Sequence, residues 1–140
     1  MAYNERGDLK EAISHYQKAL QINPGYVEAH TNLGNIYFRR GNINEALSEY
    51  QRAVQINPNY ALGYYNLGNA YREQGKKEEA IASFQKALEI NPNFGEPHYI
   101  LAVLYFEKKE YSQAIQHCEQ ALKSGVAVDP KFLDRLKPYR

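Results

Sequence analysis

The sequence predicts an all-α stack of antiparallel helix pairs closed by a short C-terminal capping helix, and three observations carry that prediction. The first is self-similarity. Pro24, Pro58 and Pro92 stand 34 residues apart in one Ile-Asn-Pro frame, and Gly7, Gly41 and Gly75, Ala12, Ala46 and Ala80, and Tyr3, Tyr37, Tyr71 and Tyr105 keep the same period. The second is apolar patterning at helical spacing, as in Ala46, Leu47, Tyr50, Ala53, Val54 and Ile56, matched by Ala80, Ile81, Phe84, Ala87, Leu88 and Ile90. The third is punctuation, with glycine inside each period and proline closing it. A fixed period of this length marks a stacked repeat whose units bury a continuous seam rather than a globular core.

Each period holds two amphipathic helices, A and B. Helix A carries Leu33, Gly34, Ile36 and Tyr37 in one copy and Leu67, Gly68, Ala70 and Tyr71 in the next. Gly41 and Gly75 separate A from B, where a tight turn favours a residue free to adopt positive φ. Helix B is expected to start after Asp8 or Asn42, with Glu11 or Glu45 three residues on in a capping-box arrangement. It ends near Ile22, Ile56 and Ile90, because a residue before proline is pushed out of helical dihedrals. Ala19, Ala53, Ala87 and Ala121 are small enough to let neighbouring helices approach.

The chain is read as a single domain, 1–140, comprising a truncated first repeat (1–26), repeats at 27–60 and 61–94, a divergent last repeat (95–126) and a capping helix with its tail (127–140). The first copy lacks almost all of its helix A and is expected to open at that helix's last turn, Met1-Ala2-Tyr3. The N-terminus therefore reads as cut. At the other end, Asp129-Pro130-Lys131-Phe132-Leu133-Asp134-Arg135-Leu136 offers an acidic N-cap, proline at the first helical position and apolar residues three to four apart. That terminus reads as natural, since repeat stacks need an atypical end with a polar outer face.

These residues also carry a family resemblance. His30-x2-Leu33-Gly34-x2-Tyr37, Ala46-x3-Tyr50 and Pro58 resemble the tetratricopeptide repeat pattern W-x2-L-G-x2-Y…A-x3-F…P. Tyr64-x2-Leu67-Gly68-x2-Tyr71, Ala80-x3-Phe84 and Pro92 repeat it. A weaker copy follows in His98-x2-Leu101-Ala102-x2-Tyr105 and Ala114-x3-Cys118, with Lys109 at the inter-helix glycine position and no closing proline at the expected place. The resemblance covers nearly the whole chain. It implies a right-handed superhelix in which the A helices line a concave groove and the B helices form the convex face.

Composition excludes several function classes. Net charge is +1, from 17 basic and 16 acidic residues well mixed along the chain, so no basic stripe supports nucleic-acid binding. A single cysteine excludes an internal disulfide framework and a cysteine-based zinc site. No apolar stretch approaches the roughly 18 residues of a membrane span, and the N-terminus lacks a signal-peptide core. A cytoplasmic location is expected, or a periplasmic one if a targeting segment has been removed.

No nucleophile, phosphate-loop, metalloprotease or paired-carboxylate motif occurs, so neither catalytic residues, metal ligands nor cofactors are assigned. His30 and His98 occupy a large core position of the repeat, His15 and His117 lie on B helices, and Cys118 reads as a small apolar core group. Tyr16, Tyr37, Tyr50, Tyr71, Phe84 and Tyr105 fall at signature positions and belong to the core.

The candidate binding residues are those that the resemblance places on the groove. Thr31, Tyr65 and Tyr99 share one helix A position, and Phe38, Arg72 and Phe106 another; interfaces favour Tyr, Arg and Phe. Asn32, Asn35, Asn66 and Asn69 form pairs three apart, and each pair falls on one helical face. An asparagine amide both donates and accepts, so this ladder can hold an extended backbone without reading its side chains. Arg39 and Arg72 are available to acidic groups. In the last repeat the asparagines become Ile100 and Val103, so the groove is expected to turn apolar toward its C-terminal end. The clamp by which chaperone-tail binders of this family hold a terminal carboxylate is missing, since Thr31, Glu96 and Ile100 replace its cations.

The leading expectation is a non-enzymatic scaffold whose groove takes a peptide or partner segment. Two alternatives stand beside it. One is a self-assembling homo-oligomer, driven by apolar groups of the first B helix (Ile13, Tyr16, Leu20 and Ile22) left partly uncovered. The other is the regulatory or recruiting arm of a larger enzyme.

Overall fold

The computed structural model describes residues 2–140, with side chains from Gly7 onward. Eight helices follow one another: α1 (Ala2–Ile22), α2 (Val27–Arg39), α3 (Ile43–Ile56), α4 (Ala61–Glu73), α5 (Lys77–Ile90), α6 (Gly95–Glu107), α7 (Tyr111–Lys123) and α8 (Pro130–Leu136), with a 3₁₀ turn at Lys137–Tyr139. Helices α2 and α3, α4 and α5, and α6 and α7 pack most extensively as antiparallel pairs, and α3 on α4 and α5 on α6 join pair to pair. The architecture is the all-α repeat solenoid expected from the period. None of the described helices is long and apolar enough to cross a membrane.

Four helix-to-helix connections solve one problem in one way. After α2, the Gly41 N–H donates to the Phe38 carbonyl (3.0 Å) and the Asn42 N–H to the Tyr37 carbonyl (2.8 Å). This is a Schellman closure, and it requires positive φ at its pivot. Gly41 (81°), Gly75 (76°) and Gly125 (87°) supply it, and Lys109 does so at 63°. These bonds satisfy the last carbonyls of the preceding helix. Asn42 caps α3 without a side-chain bond, so the expected capping box with Glu45 is not formed. Replacing Lys109 with glycine removes the Cβ strain of a left-handed non-glycine residue. We expect a gain of about 0.5–1 kcal/mol, read as a higher urea midpoint at unchanged slope.

The first element departs from expectation. Met1 lies outside the described residues, and Ala2 and Tyr3 belong to α1, which runs unbroken through Gly7 and Asp8 to Ile22. Neither the turn at Gly7 nor the Asp8–Glu11 cap forms. Nothing lies within 4 Å of the position a Cβ on Gly7 would take, so no close neighbour forces a turn there, and a lone glycine costs a helix only about 1 kcal/mol. Ile13, Tyr16 and Leu20 are half-buried, and Ile22 is 87 % exposed.

Close approach of A and B explains the helical glycines. A Cβ on Gly68 would lie 2.5–2.7 Å from carbons of the Phe84 ring, and one on Gly34 would meet Tyr50 at 2.6 Å. Ala46, Ala53, Ala80, Ala87, Ala114 and Ala121 are fully buried, as a small residue at each helix crossing requires. One apolar cluster joins α3 and α4 around Tyr50 and Leu67; a larger one runs from α5 to α8 around Phe84, Leu101, Tyr105, Phe132 and Leu136. Polar links reinforce the stack: Gln51 and Gln85 on B helices donate to the hydroxyls of Tyr71 and Tyr105 on the following A helices. At the C-terminal end Asp129 caps α8 by accepting the Lys131 N–H (3.0 Å), and Pro130 opens the helix, as the sequence predicts.

Candidate functional site

Helix α2 presents Asn32 and Arg39 to solvent and holds Asn35 and Phe38 half-buried; Thr31 is buried and donates its hydroxyl to the Val27 carbonyl (2.9 Å). Helix α4 leaves Tyr65, Asn66 and Asn69 half-buried and Arg72 exposed. On α6, Tyr99, Ile100, Val103 and Phe106 are all half-buried. None of the four asparagines hydrogen-bonds to another among the described residues.

Two of these amides have a defined polarity. The Tyr50 hydroxyl donates to Asn35 Oδ1 at 2.5 Å, which occupies that oxygen and leaves the Asn35 amide hydrogens free to donate. Burial pushes the Tyr50 phenol up to about 12, with Arg39 opposing, so the hydroxyl remains a donor. Asn66 Nδ2 is buried and has no hydrogen-bond partner. A donor left in that state costs about 1–3 kcal/mol, and any acceptor brought to it recovers part of that cost.

The aromatic members are partly engaged within the chain. Tyr65 packs against Phe84 and Phe94, with ring centroids 6.0 and 5.1 Å apart. Tyr99 stacks on Phe132 (6.1 Å), and its hydroxyl accepts the Asp129 N–H at 3.0 Å. Phe106 meets Tyr111, Phe132 and Tyr139 edge-on. Tyr99 and Phe106 are thus engaged by the C-terminal segment, and Ile100 and Val103 rest on the apolar cluster that runs from α5 to α8. The polar stretch of α2 and α4 carries the least-engaged groups.

The histidines that the sequence left as packing groups have specific partners. His30 is buried, with Nδ1 2.7 Å from Glu49 Oε2 and Nε2 2.9 Å from the Pro24 carbonyl; Arg52 reaches the other Glu49 oxygen at 2.9 Å. His98 holds the same place one pair further on, with Nε2 2.9 Å from the Pro92 carbonyl, but its Nδ1 faces His117 Nδ1 at 2.9 Å. The sequence places His98 at a packing position and His117 on a B helix without pairing them. The signal was present in the 19-residue offset that both couples share. Burial, with His98 adding to it, lowers His117 to about 4. Cys118 is buried in the core, where burial pushes its thiol up.

Comparison with known proteins follows the same lines. A family model described as TPR repeat matches residues 2–41 and 34–75, and two described as tetratricopeptide repeat match 61–94 and 83–116. No curated protein matches significantly. Among solved structures the chain is similar to a crystal structure of MamA at 30% identity and a TM-score of 0.76, covering 86% of this chain and 71% of that one. A second MamA structure gives 30% and 0.76, covering 87% and 67%. The segment 41-end of MamA from Desulfovibrio magneticus RS-1 gives 25% and 0.74, covering 89% and 70%.

Proposed function

The chain belongs to the tetratricopeptide repeat family, a family of protein-interaction scaffolds, and from that premise we propose that α2, α4 and α6 together receive an extended segment of a partner protein. The observation that carries the proposal is the unpartnered, buried amide of Asn66 on α4, together with the donor amide of Asn35 on α2. Backbone carbonyls of an extended chain are acceptors that such a ladder satisfies. Asn32 and Asn69 continue the ladder, and Tyr65 offers a rigid amphipathic surface to an apolar side chain. Arg39 and Arg72, both exposed, pair with acidic side chains of the segment. Tyr99 and Phe106 bind less strongly in this scheme, because the C-terminal segment already covers part of each, while Ile100 and Val103 offer their remaining surface to apolar side chains. The work done here is binding, without catalysis.

The test uses segments selected from a displayed peptide library against the whole chain. Tyr65→Ala is expected to weaken their binding by about 1–2 kcal/mol, near tenfold, while Lys86→Ala on α5 leaves it unchanged. Equal affinity for both variants would remove the A helices as the binding face. A second reading, self-association, rests on the half-buried Ile13, Tyr16 and Leu20 and the exposed Ile22 of α1. Light scattering across a concentration series tests it: a mass that rises with concentration and falls back on Ile13→Lys favours that reading.

A further inference from the structure

We propose that His98 and His117 form a two-histidine chelate for a divalent transition-metal ion of planar coordination, with Cu(II) the preferred ion. The donors come from facing helices of one pair, α6 and α7, and their Nδ1 atoms are 2.9 Å apart. Metal–imidazole bonds measure about 2.0–2.1 Å, so two ring nitrogens in adjacent positions of a square plane stand about 2.9 Å apart. The separation already matches the bite of such an ion, and only the ring orientations must adjust.

The surroundings of each ring suit a ligand. His98 donates Nε2–H to the Pro92 carbonyl at 2.9 Å, which fixes its tautomer and leaves the Nδ1 lone pair facing its partner. Ligating histidines are commonly oriented by such a carbonyl. His117 is half-buried and stacks on Tyr105, with ring centroids 5.5 Å apart and planes 13° from parallel. At rest His117 donates Nδ1–H to His98. When the ion enters, that proton transfers through solvent to His117 Nε2; both rings remain neutral and both Nδ1 lone pairs bind the metal. No net proton is released.

An open cavity of about 310 Å³, lined by His98, Gln116, His117, Glu119 and Gln120, gives access from solvent. Among the described residues no group of three or more His, Cys, Asp or Glu converges, so two protein nitrogens and water complete the site. A sparse imidazole site of this kind favours the ion at the top of the divalent affinity order, which is Cu(II). The internal comparison sharpens the assignment. His30 has the same carbonyl partner geometry, but its Nδ1 meets the Glu49 carboxylate, which Arg52 also holds. That couple is already satisfied by charge and is not assigned a metal.

Titration of the whole chain with Cu(II), followed by electron paramagnetic resonance and calorimetry, tests the proposal. One ion is expected to bind per chain with hyperfine splitting from two nitrogens. His117→Gln is expected to lose one nitrogen from the spectrum and to weaken binding by about tenfold or more. His15→Ala, on α1 and remote from the couple, should leave both readings intact. Circular dichroism confirms that each variant is folded, and the half-buried His117 position carries the test if a His98 variant does not fold. A wild-type spectrum without two nitrogens, or a His117→Gln chain that binds as the wild type does, would overturn the assignment.

Discussion

Phe84→Ala is expected to lower the unfolding free energy by about 3–5 kcal/mol, measured by urea denaturation at neutral pH. Phe84 is fully buried on α5. Its ring lies against Gly68, where an added Cβ would sit 2.5–2.7 Å from it, and beside Tyr65 at 6.0 Å. Helix α4 therefore rests on this ring at Gly68, where it has no side chain of its own to fill space. Truncation leaves a cavity that neither Gly68 nor the helix backbone can close, and a cavity term adds to the lost transfer energy. Because Phe84 belongs to the cluster that extends to α8, the loss should appear in the main cooperative transition. A change below about 1 kcal/mol would mean that the two helices collapse onto each other without the ring.

Acidification should destabilise the chain through His117. The folded ring titrates near 4, held down by burial and then by His98, against 6.5 for the free side chain. Above about pH 7 both states are neutral and the group contributes nothing to the pH dependence. As pH falls from 6.5 toward 4 the unfolded chain takes up a proton that the folded chain refuses, so stability falls with pH across that window and levels off below it. The ring is half-buried and partly screened, which reduces the full shift to an effect of about 2 kcal/mol. Comparing wild type with His117→Gln in the presence of a chelator isolates it from the carboxylates: the difference between their stabilities should change between pH 6.5 and 4 and stay flat above 7. A constant difference across the window would contradict the buried couple.

Most of the architecture was readable because the signals are local and repeated. The helix B ends at Ile22, Ile56 and Ile90 coincide with the prolines that follow, and Asp129-Pro130 starts α8 through bonds within four residues. Lys109 occupies a glycine position and takes up the left-handed conformation nonetheless, because the Schellman bonds on either side outweigh its local cost. What escaped the sequence depends on neighbours. Gly7 looks like the other turn glycines, yet stays helical within α1, with open space around it. Asn42 stands at the N-cap position of α3, but its side chain makes no capping bond there, and the Schellman bonds at Gly41 serve the carbonyls of α2 instead. Neither the Tyr50–Asn35 bond nor the His98–His117 couple is visible until helix A and helix B face each other; the 19-residue offset would have found the second. On the A helices, residue choice marked the candidate binding positions, while the engagement of Tyr99 and Phe106 by the C-terminal segment depends on how α8 docks.

The most direct measurement is an NMR titration of the isotope-labelled chain with a library-selected segment, reading the side-chain amides of Asn32, Asn35, Asn66 and Asn69. Binding along the A helices predicts the largest change at the Asn66 amide, which gains an acceptor, with accompanying shifts at Asn69 and Tyr65 and little at Gln51 or Gln85 on the B helices. Saturable binding that moves the Gln51 and Gln85 amides and leaves Asn66 where it was would contradict the account and place the interaction face on the B helices.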